Sequence, residues 1–553
     1  MKNEQKKLDL KKICSELPRG RLLWFHLHAP WSAESERWTS GLHTDPRFLE
    51  LQKECRYIES PVDDWTDEAQ SFQAFVQYNI GYSGWPLNLF LNRKGQAVFC
   101  CGSLEIPAMI QMTASLFQAY QVDAASLDAE ADRRHQDFIA NDPCAFSAAD
   151  SESDGHDLSV LQKKTLTRML TPLEQTLDPE TGLIGGDSVF HFPSILRALV
   201  LSESERDWAE KFLVKLCRSP LYDVLGGGFF RSLNRKDSKT STEKLLVENV
   251  ELLDVLLEYG ALRKQPFLEE VAASTLDLIR KQFRLNDSTY ASALAASPEY
   301  YEWASSDLFT ALGADERGVA QKFYGVSSEK KMIPFMATEV STLSKDWNLE
   351  PLDLRLKLLD VRKKLQAFAE KHRRLSKPAE FPSQRFSTAM AITALARASF
   401  QWDIPELLED CQKQLVVFGN RDDLSNRERW AWTRALLSMA RCLGANGSDA
   451  EARAMVTKVE DELLMESEFS KVALVQSPVF GSRIDLCDHL GMSAGALFLH
   501  TLLDLKALRK HKIIGDRALP FNESEALAHA LTKARTLGIH AGGIYSALAQ
   551  ALN

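Results

Sequence analysis

The sequence predicts two folds in series: an α/β unit at the N-terminus, then a mainly α toroid of helical hairpins. Three observations carry this. Leu22 to Leu27 is an apolar run of strand length, closed by a turn signal at His28-Ala29-Pro30 and followed by a helix start. A second apolar run, Leu87 to Asn92, turns at Arg93-Lys94-Gly95 into Gln96 to Cys101, which reads as a hairpin. From about Leu158 onward nearly every segment keeps one apolar stripe at helical spacing.

In chain order, Leu8 to Leu17 suits a short helix and Leu22 to Leu27 a buried strand. Asp45 to Lys53 reads as helix and Arg56 to Val62 as a second strand. Thr66 to Tyr78 is helical, with Phe72, Phe75 and Val76 on one face. The hairpin and a helix over Ile106 to Tyr120 complete the unit. The predicted boundaries are 1–122 for this domain, 123–157 for a helix tail and acidic linker, and 158–553 for the helical domain. Ser147 to Gly155 is a linker by composition.

Strand, tryptophan, four-residue turn, helix is where a thioredoxin-like fold carries Trp-Cys-x-x-Cys. That motif works because a helix N-terminus stabilises the first thiolate. Here the turn is Trp31-Ser32-Ala33-Glu34-Ser35. Serine at Ser32 and Ser35 forms no disulfide, and an unassisted hydroxyl is a poor nucleophile. Pro86, opening a strand after Trp85, occupies the place of that fold's cis proline.

In the helical half, Ser202 with Glu205, Ser425 with Glu428, and Asn522 with Glu525 have capping-box spacing. About twelve helical segments suffice for six hairpins. The Gly clusters Gly182 to Gly186 and Gly226 to Gly228 fall in long loops at one mouth. The latter lacks the Gly-Lys-Ser/Thr ending of a phosphate loop and suits a tight turn.

A net charge of -10 and a pI near 5.8 argue against nucleic-acid partners. No apolar run approaches membrane-spanning length, and the Lys-rich, acidic N-terminus lacks a secretory apolar core. The nine cysteines include no Cys-x-x-Cys, so neither a zinc ribbon nor a dithiol motif is expected. Scattered thiols in apolar patterns point to the cytoplasm. No cofactor and no metal is expected.

Five further motifs appear in a recognisable order. They are Gly84-Trp85-Pro86-Leu87-Asn88-Leu89-Phe90-Leu91, Asp223 to Arg231 around the triple glycine, Glu243-Lys244-Leu245-Leu246 with Glu248-Asn249, Tyr301-Glu302-Trp303, and Phe323-Tyr324-Gly325-Val326. Together they resemble a family that joins a thioredoxin-like domain to an (α/α)6 barrel, the spermatogenesis-associated thioredoxin-like proteins and their bacterial YyaL-type relatives. The barrel half is similar to sugar 2-epimerases and six-hairpin glycosidases, and the resemblance implies a pocket at the barrel axis.

The departures from that family are informative. Its redox pair is replaced by Ser32 and Ser35. Its His-Phe-Glu-Lys becomes Ser241-Thr242-Glu243-Lys244, its Leu-Asp-Ala-Asp becomes Leu294-Ala295-Ala296-Ser297, and its Pro-Ser-Gly-Asn becomes Met492-Ser493-Ala494-Gly495. Ser387-Thr388 stands where the family has Trp-Asn. Apolar scaffolding survives while polar pocket groups drop out.

Three readings follow. A catalytically degenerate binding or scaffold protein, docking an unknown protein partner, predicts no acid–base pair in the barrel mouth. A carbohydrate-active enzyme binding a small carbohydrate predicts convergent carboxylates there, with Glu243, His191 and Asp488 as catalytic candidates. Asp223, Arg231, Lys244, Glu248, Asn249 and Trp303 are the candidate pocket residues around them. A thiol redox protein predicts two sulfurs at the Trp31 turn. The first reading is favoured by the sequence.

Overall fold

The computed structural model describes residues 8–65, 68–145, 161–176, 184–185, 188–372, 378–417, 424–466, 469–477, 481–486, 488, 491–510, 517–520, 522–534 and 537–553. The linker at 147–155, Gly182, Gly186 and Cys487 lie outside the described residues. The chain divides into two compact units, 1–154 with 468–485, and 155–467 with 486–553.

The first unit is built on β1 (Leu23–His28), β2 (Arg56–Pro61), β3 (Leu87–Leu91) and β4 (Ala97–Cys101), in the order β2-β1-β3-β4. β1 runs parallel to β2 and antiparallel to β3, and β3 runs antiparallel to β4. Leu23, Trp24, Phe25 and Leu27 have no exposed surface, so β1 is covered on both faces. Alternation sends Trp24 to one side, against Phe48 and Phe90, and Phe25 to the other, against Trp65 and Phe72. The flanking helices are α1 (Leu10–Ser15), α2 (Ala33–Thr44), α3 (Pro46–Glu54), α4 (Ala69–Ile80), α5 (Ile106–Val122) and α6 (Ala124–Asn141). The Trp85–Pro86 peptide is cis. A hairpin of Leu474–Ser477 and Gly481–Ile484 returns to this unit late in the chain, where Arg483 pairs with Asp142 and donates to Ser71 Oγ. Helical periodicity gives no sign of that return.

The second unit alternates outer and inner helices. α7 (Lys163–Thr176), α9 (Arg206–Arg218) and α11 (Pro266–Lys281) precede, in turn, α8 (Pro193–Leu201), α10 (Leu246–Leu262) and, after five helices of an insertion, α17 (Arg385–Trp402). The insertion holds α12 (Pro298–Tyr301), α13 (Ser305–Ala311), α14 (Ala314–Tyr324), α15 (Val340–Asp346) and α16 (Pro351–His372). Then follow α18 (Pro405–Val417), α19 (Asn426–Ala445), α20 (Asp449–Leu464), the short α21 (Phe469–Val472) of the first unit, α22 (Ala494–Lys510), α23 (Glu523–Ala534) and α24 (Gly542–Leu552).

α8, α10, α17, α19, α22 and α24 each pack on two others of the set, α8 on α10, α10 on α17, and so round to α24 on α8. The ring closes, which makes an (α/α)6 toroid. The inner helices read as such because they are apolar nearly all round: α17 buries thirteen of its eighteen residues, from Phe386 to Ser399. The outer helices have one stripe, as in α9 with Ala209, Phe212, Leu213, Leu216 and Cys217. Ser425 and Glu428 form the capping box predicted for α19. Ser202 does not cap α9; it ends α8, and α9 starts beyond it at Arg206.

Below the mouth, buried charges tie the ring across its axis. Asp254 of α10 meets Arg197 of α8 at 3.3 Å, Arg397 of α17 at 2.8 Å and Arg434 of α19 at 3.7 Å. Glu258 holds Arg197 and Arg397, and Asp504 of α22 lies 3.5 Å from Arg434. His500 bridges α22 to Ser546 and Gln550 of α24.

Candidate active site

Each inner helix follows an outer one, so all six N-termini open at one end of the toroid. The connections there carry two small sheets. One runs in the order β5 (Ile184–Gly185), β6 (Ser188–Phe190), β7 (Ser232–Asn234), β8 (Lys239–Thr240); the other joins β9 (Glu243–Leu245), β10 (Ala293–Ala295) and β11 (Ala379–Glu380). They fix the side chains at the mouth.

His191 sits between β6 and α8, where Pro193 starts the helix. Its Nε2 donates to the Phe230 carbonyl at 3.1 Å, and a carbonyl can only accept, so Nδ1 is the bare nitrogen. Nδ1 has no hydrogen bond. Burial lowers the ring's pKa to about 4, so the imidazole is neutral near pH 7. Glu248 lies in the first turn of α10. Its Oε2 is 3.8 Å from His191 Nε2 and accepts no hydrogen bond, while Oε1 is 3.4 Å from Arg231 Nε. Burial raises Glu248 to about 7, against the pull of Arg231. Such a carboxyl can give or take a proton near neutral pH.

Two more carboxyls lie at the same end. Glu251, one turn on from Glu248, accepts from the Met492 N–H at 2.8 Å; burial, then the charge of Asp488, raises it to about 8. Asp488 accepts from the Ser493 and Gly543 N–H groups, and burial raises it to about 6. Arg427 of α19 donates to the carbonyls of Gly491 and Met492 and stacks over Phe386. The sequence reading favoured a mouth emptied of polar groups. Instead it gathers three carboxyls, a neutral histidine and two arginines, with the Met492 and Ser493 backbone among their partners.

The other predicted residues hold the scaffold. Lys244 is fully buried; it donates to Asp223 Oδ2 at 2.7 Å and the Gly227 carbonyl at 2.8 Å, beside the rings of Phe230 and Tyr301. Asp223 also accepts from the Leu225 and Gly226 N–H groups. Gly227 and Gly228 take φ of 81° and 72°, and a Cβ on Gly227 would lie 2.5 Å from the Ser274 carbonyl. Asn249 closes the same turn through Phe229 N–H and the carbonyls of Phe229 and Leu245. Trp303 is buried beside Phe368, its backbone bridged to Met332. Glu243 lies on β9, its carbonyl accepting from Arg231 N–H. Arg231 itself reaches Glu248. Glu251 and Arg427 were not singled out from sequence; their only signal is a charge inside an otherwise apolar helix stripe.

In the first unit Ser32 caps α2, its Oγ accepting from Ser35 N–H at 3.5 Å. Ser35 has no exposed surface, and its Oγ accepts from Ala29 N–H at 3.0 Å. Pro86 is buried at the head of β3. The eight described cysteines are free and buried, and burial raises Cys14, Cys55 and Cys101 to about 12, which suppresses thiolate chemistry. Among the described residues no three His, Cys, Asp or Glu side chains are placed to hold a metal ion, and no helix is long and apolar enough to cross a membrane.

No family model matches this chain, and no curated protein matches it. Among solved structures it is similar to a cellobiose 2-epimerase from Spirochaeta thermophila, at 13% identity over 69% of this chain and 85% of that one, with a TM-score of 0.37. It is also similar to an alpha-amylase from Clostridium perfringens, at 10% identity over 63% and 97% of the two chains, with a TM-score of 0.25.

Proposed function

We propose that the barrel is a carbohydrate-active enzyme that moves a proton on a small sugar, with Glu248 as the acid–base group and His191 as its partner. The observation that carries this reading is the Glu248 carboxyl, buried, raised to about 7, with Oε2 free of hydrogen bonds 3.8 Å from a neutral imidazole. Glu251 and Asp488 are bound to backbone amides, which leaves Glu248 the carboxyl of the three able to turn to a ligand. Glycoside hydrolysis needs two acting carboxyls. One carboxyl and one imidazole suit proton abstraction beside a carbonyl, as in epimerisation or isomerisation. Half-buried Phe190 and Phe192 flank His191 and offer rings to the apolar face of a sugar.

The first unit is, in this proposal, a thioredoxin-like module without redox activity, supported by its strand order and by the hydroxyls at Ser32 and Ser35. Buried free thiols support a reducing, cytoplasmic setting.

The test is incubation of the full chain with reducing mono- and disaccharides in D2O, read by proton NMR at the carbon next to the carbonyl. Deuterium uptake that Glu248→Gln lowers by ~10²-fold or more supports the reading. No uptake from any sugar overturns it and restores the scaffold role.

A further inference from the structure

Three consecutive residues at the entrance of α22 are held by buried charged side chains. The Gly491 and Met492 carbonyls accept from Arg427, the Met492 N–H donates to Glu251 Oε1, and the Ser493 N–H donates to Asp488 Oδ1. Glu251 and Asp488 thus grip adjacent amides, and the second oxygen of Asp488 reaches the Gly543 N–H at the start of α24. The turn leaves little slack. Gly491 has φ of 100°, and a Cβ there would lie 2.6 Å from Val247 and 2.9 Å from Phe386.

We propose that Glu251 and Asp488 form a pH-sensitive latch on the barrel mouth, holding the Gly491–Ser493 turn closed while one proton remains between them and loosening it when both are ionised. This rests on the reading that the mouth is the working site, and it names that site's regulation. Burial penalises the charge on two carboxylates that accept from adjacent amides, and their mutual repulsion adds to that penalty. Both groups are displaced upward, to about 8 and about 6.

Among the described residues, the following groups act on the pair. Arg427 and Arg434 of α19, Ser194 of α8 and the bound amides of Met492, Ser493 and Gly543 favour its ionised form, and burial outweighs them, so opening to water is what ionisation favours. Tyr545 of α24 feels the charge of Asp488, and the His540 carbonyl accepts the Asp488 N–H. On its own helix Glu251 has Glu248 and Asp254 one turn away on either side. Arg427 is already occupied by two carbonyls, and Arg434 by Asp254 and Asp504.

The experiment is hydrogen exchange of the full chain between pH 6 and 9, resolved to the Met492 and Ser493 amides and divided by intrinsic rates. Opening that releases one proton changes the opening equilibrium about tenfold per pH unit. Protection of these amides should therefore fall with rising pH, while α17 amides keep theirs. Glu251→Gln retains the acceptor oxygen but cannot ionise, and Asp488→Asn does the same for its partner; either should flatten the profile. A flat profile in the parent chain overturns the latch. So does a slope that survives both substitutions, or one shared by α17. Absence of sugar chemistry leaves this readout unaffected, so the two proposals fail separately.

Discussion

At the scale of single residues, the contrast is between polar groups that are satisfied and those that are not. Lys244, Asp223 and Asn249 have every nearby partner they need, and such groups hold structure. Glu248 Oε2 and His191 Nδ1 do not, and an unpaired buried polar atom costs about 1–3 kcal/mol, which is a reason to look for function there. If Glu248 acts as the base, kcat/KM for the responsive sugar should rise with pH through a limb centred near 7. A limb displaced to the ordinary carboxylate range would contradict the burial argument. His191→Asn should lower the rate while leaving the fold intact, as measured by circular dichroism alongside the NMR assay. In the first unit, Ser32→Cys with Ser35→Cys should yield a reducible disulfide under mild oxidant without unfolding. Thiol titration before and after reductant decides this, and two persistently free thiols would mean the turn is not thioredoxin-like.

At the scale of elements, the entrance of α22 is a tightly constrained piece of the mouth. Gly491→Ala puts a Cβ into Val247 and Phe386 at a backbone angle that L side chains rarely adopt. The expected cost is about 1–3 kcal/mol, read as a fall in the urea midpoint at unchanged slope. An alanine variant as stable as the parent would show that the turn relaxes freely. Helix boundaries were legible because apolar stripes and caps are local: Ser425 with Glu428 is a local signal and held. Ser202 misled because a serine ending one helix has the same spacing to a later glutamate as a serine starting the next.

At the scale of the whole molecule, the ring of inner helices is tied by a charge network that no periodicity announces. Asp254 meets three arginines from three helices. Asp254→Ala leaves the three arginines with only Glu258 and Asp504 as counter-charges and should cost about 3–5 kcal/mol by urea unfolding. A loss under about 1 kcal/mol would mean that water reaches the network. Stability should also fall between pH 6.5 and 8. Glu248 and Glu251 keep protons to about 7 and about 8 in the folded chain, whereas unfolded carboxyls have lost theirs by then, so the native state binds more protons and rising pH favours unfolding. The buried histidines His26 and His191, lowered to about 4, work in the opposite sense, mainly between that value and their ordinary value of 6.5, below this window. Urea midpoints across this range check the sign, and Glu251→Gln should shrink the fall.

The sequence by itself determined the succession of elements: an α/β unit, then alternating helices sufficient for six hairpins. These are local properties, written in the spacing of apolar side chains and the residues that end each run. Only the tertiary structure decided which charges meet. Glu248, His191, Glu251, Asp488 and Arg427 come from four inner helices and the loops before them, far apart in the chain. Their environment is created by burial, and burial belongs to the closed ring and to no single segment. Glu248 and Arg231 stand in stretches that the sequence singles out, whereas Glu251 and Arg427 stand in none and join them only when the ring closes.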